Sequence, residues 1–126
     1  MSTESASLVI LVIDDEARVR DALIDILDMM DMTAITASTG YDGIAIYAQD
    51  YHQIHIVLLD MQLPDINGSE IIPQLKEINP DVKIIISSGH DQWDVSHQLP
   101  KDPNIYFLQK PYRMSTLFNK LNEVNQ

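Results

Sequence analysis

The stretch HIVLLDMQLPDINGSE, residues 55–70, contains an apolar run, Ile56 to Leu59, that ends directly on Asp60. The run does not alternate with polar residues, the pattern of a strand covered on both faces, as in parallel sheets. A carboxylate at the end of such a strand is either a cap or turn residue, or a reactive group carried to the rim of a sheet. The rest of the chain decides between the two.

Four further short apolar runs occur: LVILVI at 8–13, MTAITA at 32–37, KIIIS at 83–87 and IYFLQ at 105–109. Helix-like patterns separate them. In ARVRDALIDILDMM, residues 17–30, Val19, Ala22, Leu23, Ile26, Leu27 and Met30 share one helical face. Asp14, Asp15 and Glu16 precede it and suit the positive end of a helix dipole. A second helix is expected over about residues 41–48 after a Ser38-Thr39 cap, and a third over about 69–78, stopped by Asn79-Pro80. Pro73 conflicts with the third unless it lies near the first turn, because proline inside a helix removes a donor and clashes one turn back. A short fourth helix is expected over about 92–99. The last, Met114 to Val124, places Leu117, Phe118, Leu121 and Val124 on one face, and PKDPN at 100–104 reads as loop. Continuous strands alternating with helices indicate an α/β domain with a doubly wound, five-stranded parallel sheet.

The chain length of 126 residues fits one domain, expected over 8–126 behind a disordered tail at 1–7. With 8 Lys+Arg against 19 Asp+Glu, the net charge of −11 repels phosphate backbones and argues against direct nucleic-acid binding. The absence of cysteine excludes disulfides and thiolate metal sites. MSTESAS lacks a cationic leader segment, and the run at 8–13 is too short to span a membrane, so a soluble cytoplasmic protein is expected.

In doubly wound sheets, ligands gather beyond the carboxyl ends of the strands. Those ends carry Asp14 and Asp15, Asp60, Ser87 and Ser88, and Lys110. Two carboxylates at ~4 Å repel by about 4 kcal/mol at an effective dielectric near 20, so such a gathering shifts pKa values or recruits a cation. Oxygen donors without His or Cys suit Mg²⁺, and Ca²⁺ is a weaker fit because no EF-hand loop is present. A carboxylate, Mg²⁺, a lysine and a hydroxyl are the parts needed to place a phosphoryl group on the carboxylate. Asp60, alone on the central strand, is the natural acceptor, leaving Asp14 and Asp15 to hold the metal.

The motifs IDDE at 13–16, DMQLPDING at 60–68, SSG at 87–89 and KP at 110–111, in this order, resemble the receiver domains of two-component response regulators. The resemblance covers nearly all of the chain after residue 7. It implies a flavodoxin-like fold with strand order 2-1-3-4-5. It also implies Asp60 as phosphoryl acceptor, Asp15 as direct Mg²⁺ ligand, Asp14 as ligand largely through water, and a backbone carbonyl of Gln62 completing the site, with Mn²⁺ as an alternative ion. Lys110 matches the phosphoryl-contacting lysine, whose bond to the following proline is commonly cis in the family. Ser88, before Gly89, matches the switch hydroxyl better than Ser87. Phe107 occupies the aromatic switch position, where Tyr or His is commoner, so any switching there rests on packing. The implied partners are a histidine kinase or histidine phosphotransfer protein and a downstream target or tethered output domain. Readout, and a dimer where one forms, would use the face of the fourth helix, fifth strand and fifth helix. The domain is then a switch and not an enzyme beyond its own phosphorylation and dephosphorylation.

The rival readings are a Mg²⁺-dependent phosphatase of the haloacid dehalogenase type, which wants D-x-D where this chain has adjacent Asp14 and Asp15, and a degenerate receiver, against which the intact site positions argue. His52, His55, His90 and His97 read as loop or edge residues, with His90 nearest the expected site. Trp93 reads equally as a partner contact or as helix packing, and Met29, Met30 and Met32 read as core and helix end.

Overall fold

A computed structural model describes residues 8–89 and 101–125. The expected tail at 1–7, the fourth helix, His90, His97 and Trp93 lie outside the described residues. Strands β1 (Val9–Ile13), β2 (Thr33–Ala37), β3 (Ile56–Asp60), β4 (Ile84–Ser88) and β5 (Ile105–Gln109) form one sheet in the order β2-β1-β3-β4-β5, with every pairing parallel. The helices described are α1 (Ala17–Met29), α2 (Gly40–Asp50), α3 (Gly68–Ile78) and α4 (Met114–Asn125).

The continuous apolar runs follow from a core on each face of the sheet. Leu11, Ile13, Val57, Leu59, Ile84 and Ile86 pack with Tyr47 of α2 and with Ile71, Ile72 and Leu75 of α3. The intervening Ile10, Val12, Ile56, Leu58 and Ile85 pack with Leu23 and Leu27 of α1 and with Leu117, Leu121 and Val124 of α4. Alternation therefore sorts each of the three inner strands β1, β3 and β4 into two buried rows, while the edge strands β2 and β5 are mostly half-buried. Each fully buried Leu or Ile contributes about 1.5–3 kcal/mol, so both layers are needed to hold the sheet.

Several local expectations are corrected. Ala22, Phe118 and Met29 are exposed; Phe118 lies on the flank of the stripe set by Leu117, Leu121 and Val124, and of Met29, Met30 and Met32 the last two pack inward while Met29 is the last residue of α1. As the apolar runs suggest, Asp60 is the last residue of β3, and Ser87 and Ser88 are the last two of β4. Helix α3 continues through Pro73, well past its first turn, because Pro73 faces solvent while Ile71, Ile72 and Leu75 are buried. Helix α2 is capped by Thr39 as expected, its Oγ1 accepting from Asp42 N, and also by Asp65, whose carboxylate accepts from Gly40 N and Tyr41 N. His55 is structural: its Nδ1 accepts from Val9 N at 3.0 Å, at the start of β1.

Candidate functional site

Parallel pairing aligns the carboxyl ends of β1, β3, β4 and β5, and the polar residues of those ends meet there. Asp14 follows β1 and is held from its own side of the sheet by β2 and α1. Its N–H donates to Ala37 O, its Oδ1 accepts from Glu16 N at 2.9 Å, and its carbonyl accepts from Arg20 Nη1 at 2.8 Å. Asp60 is buried at the end of β3, with Oδ1 accepting from Gln62 N at 3.0 Å. Carboxylate oxygens of Asp14, Asp15 and Asp60 all lie within 4.8 Å of one another, with Asp15 exposed at the rim. Lys110 reaches over them, its Nζ 3.3 Å from Asp14 Oδ2 and 3.6 Å from Asp60 Oδ2. Its backbone N–H donates to Ser88 O at 2.7 Å, which ties the lysine to the end of β4, and the Lys110–Pro111 peptide is cis.

The charges act on each other. Burial raises the Asp60 carboxyl above its ordinary value; the Gln62 N–H and Lys110 oppose this, and Asp14 and Asp15 reinforce it. Burial by itself would lower the Lys110 ammonium, but Asp60 and Asp14 carry it above its usual value. One ammonium among three carboxylates leaves an excess of two negative charges. An oxygen-only donor set with that excess fits a hard divalent cation such as Mg²⁺.

The structure thus brings together Asp14, Asp15, Asp60 and Lys110, with Gln62 beside them through its N–H. Ser88, also buried, ends β4 in the row of Ile84 and Ile86, the row that faces Phe107 across the β4–β5 pair. Phe107 is half-buried against that core. Gly68, the last position of the 60–68 motif, is needed for close approach: a Cβ there would collide with Met61 Sδ and come 3.2 Å from Met61 Cα. Two residues escaped the sequence reading. Arg20 fixes the Asp14 backbone, and nothing in its helical spacing distinguishes it from the other polar residues of α1. Tyr112 packs over the α1 side of the sheet, its hydroxyl pushed up to about 12 by burial and by the charges of Asp14 and Asp60. Its one sequence signal is adjacency to the Lys-Pro motif.

Residues 10–122 match the family model for the response regulator receiver domain. Among curated proteins, the chain is 28% identical over 120 residues to the sensor kinase CckA of Brucella abortus, covering 95% of this chain and 13% of the kinase. It is 29% identical over 118 residues to the chemotaxis protein CheY of Thermotoga maritima, covering 93% of this chain and 97% of that protein. The chain spans 13%, 32% and 20% of the lengths of three of the curated relatives it matches. A receiver domain structure from Clostridium thermocellum superposes with a TM-score of 0.83 at 27% identity, covering 94% of each chain. These likenesses do not favour the phosphatase reading. The family match extends over both sheet edges and all the strand ends that carry the acidic cluster, and the chain belongs to the response regulator receiver domains of two-component systems.

Proposed function

We propose that Asp60 is the phosphoryl acceptor of this receiver. The observation that carries the reading is its carboxylate, buried at the end of β3, held through Oδ1 by Gln62 N and faced at Oδ2 by Lys110. An Asp60 oxygen attacks the phosphorus of an N-phosphohistidine. The P–O bond forms as the P–N bond breaks, and the electron pair leaves on the imidazole nitrogen. Reversal to the resting state is hydrolysis: water attacks phosphorus, the bond to Asp60 breaks and inorganic phosphate departs. Lys110 acts as a point charge on the transferring oxygens. Asp14, Asp15 and Asp60, with the Gln62 backbone carbonyl, would hold Mg²⁺ or Mn²⁺, which when bound supplies charge neutralisation at the phosphoryl group.

The donor is a histidine kinase or histidine phosphotransfer protein in the cytoplasm, and the recipient of the signal is a downstream protein or tethered output domain. Ser88 binds the new oxygens and draws the end of β4 inward, and Phe107, on the same face, repacks in response. Switching fully from 1:99 to 99:1 takes about 5.5 kcal/mol of differential stabilisation, within reach of several charge-assisted contacts. The surface of β5 and α4 reports the change, without direct nucleic-acid contact by this acidic domain.

The test is phosphorylation by acetyl phosphate with Mg²⁺, read by intact mass. Wild type is expected to gain one phosphoryl group, lost on chelation of Mg²⁺ during the reaction, and Asp60→Asn to gain none. Full labelling of Asp60→Asn overturns the assignment.

A further inference from the structure

Strand β4 ends in two consecutive hydroxyls, and alternation sends them to opposite faces. Ser88 continues the row of Ile84 and Ile86 toward Phe107, whereas Ser87 continues the row of Ile85 toward α1 and α4. Asp60 stands in the same relation to Ile56 and Leu58. The β3–β4 register pairs Asp60 with Ser87 directly, so the two side chains leave neighbouring strands on one face. Ser87 is 3% exposed, and its Oγ has no hydrogen-bond partner among the described residues. A hydroxyl buried without a partner bears the full desolvation cost of its polar group, a cost that alanine at the same place would not bear. The neighbouring polar group on this face is the Tyr112 hydroxyl. It lies close enough to Ser87 to be influenced by it, without a bond of regular geometry, and it feels the charges of Asp14 and Asp60.

We propose that Ser87 and Tyr112 form a hydroxyl pair of the site, on the sheet face opposite Ser88, in which Ser87 Oγ donates to the phosphorylated Asp60 side chain and Tyr112 orients it. Among the described residues the Ser87 hydroxyl has no regular partner in the resting protein because its partner is created by phosphorylation. The inference rests on Asp60 as acceptor. It adds a contact from below the acyl phosphate to those supplied by Lys110 and Ser88, and it gives a buried polar atom a state in which it is satisfied.

The experiment uses the full chain and beryllofluoride with Mg²⁺ as the phosphoryl mimic, with affinity measured by calorimetry and stability by urea unfolding without Mg²⁺. Ser87→Ala is expected to match or exceed wild type in stability, yet to bind beryllofluoride about 5–10-fold more weakly, the loss of one hydrogen bond. Ser87→Cys, which keeps the shape with a slightly larger atom but offers only a weak donor, is expected to weaken binding in the same direction. Tyr112→Phe is expected to lose affinity too, with the double variant no weaker than Ser87→Ala alone. A packing role alone would lower stability and leave affinity unchanged. Unchanged affinity in Ser87→Ala, or strictly additive losses in the double variant, overturns the pair. Failure of wild type to bind, or full binding by Asp60→Asn, instead removes the acceptor assignment and this proposal with it.

Discussion

Asp60 is surrounded by features that disfavour its charge: burial first, then Asp14 and Asp15, with the Gln62 N–H and Lys110 in opposition. Its folded-state pKa lies above the ordinary 3.8, so between the two values the folded protein binds more protons than the unfolded chain. Stability from this group therefore falls as pH rises through that window, and at neutral pH the penalty is fully present. Asp60→Asn is expected to raise the Tm without Mg²⁺ at pH 7 by about 3–8 °C, a gain of about 1 kcal/mol, and to gain little at pH 3. Thermal melts at the two pH values check this; a lower Tm for the variant at pH 7 would show that Lys110 depends on Asp60 more than Asp60 suffers from its neighbours. The same carboxylates were legible in the sequence because each ends or directly follows an apolar run, and so did Lys110. Ser87 was visible but unplaced, since deciding which of two adjacent serines shares a face with Asp60 requires the strand register. Tyr112 reaches the site along a loop, a path that no periodicity encodes.

At the level of elements, the turns hold information that patterning does not. Helix α1 ends with Met32 N donating to Leu27 O and Asp31 N to Asp28 O, and Asp31 adopts the left-handed region at φ 60°. That is the geometry of a Schellman cap, in which glycine is the favoured residue. Asp31→Gly is expected to stabilise the protein by about 1 kcal/mol in urea unfolding, with no change in phosphorylation. The end of α3 is tied to the start of β5 through Asp102, which pairs with Lys76 and accepts from Asn104 N. Its hydrogen bond to Lys76, then that to Asn104, hold the Asp102 carboxyl below the usual 3.8. Its contribution is thus complete above the unfolded value and disappears as pH falls through the lowered one. Asp102→Asn is expected to cost about 1 kcal/mol at pH 7 and nothing once pH is well below 3, measured by denaturation across that range. Helix α3 itself was legible from its stop at Asn79-Pro80, but its passage through Pro73, held by the burial of Ile71, Ile72 and Leu75, was not. Tertiary burial of those three side chains outweighs the lost backbone bond, and sequence pattern alone does not report how much burial a helix will gain.

At the level of the whole molecule, a continuous apolar pattern told of a sheet covered on both faces, while the strand order came only with the family resemblance, because hydrophobic runs do not specify neighbours. The order matters for function: placing β1 beside β3 gathers the carboxylates at two strand ends into one acidic mouth. A chain with net charge −11 holds three carboxylates there against one lysine, so the resting fold stores repulsion that a bound cation relieves. Ligand that binds only the folded state stabilises by about 2.7 kcal/mol at a hundredfold excess over Kd. Mg²⁺ is therefore expected to raise the Tm of wild type by about 10 °C at that excess. Asp60→Asn starts higher and is expected to gain less, having lost one of the ligands and part of the repulsion, so the two melting curves should approach each other as Mg²⁺ is added. Calorimetry over a Mg²⁺ series, with KCl matched for ionic strength to remove general screening, separates the site from the overall charge. Equal shifts in the two proteins would mean that the cation acts on the acidic surface at large and not on the mouth formed by Asp14, Asp15 and Asp60.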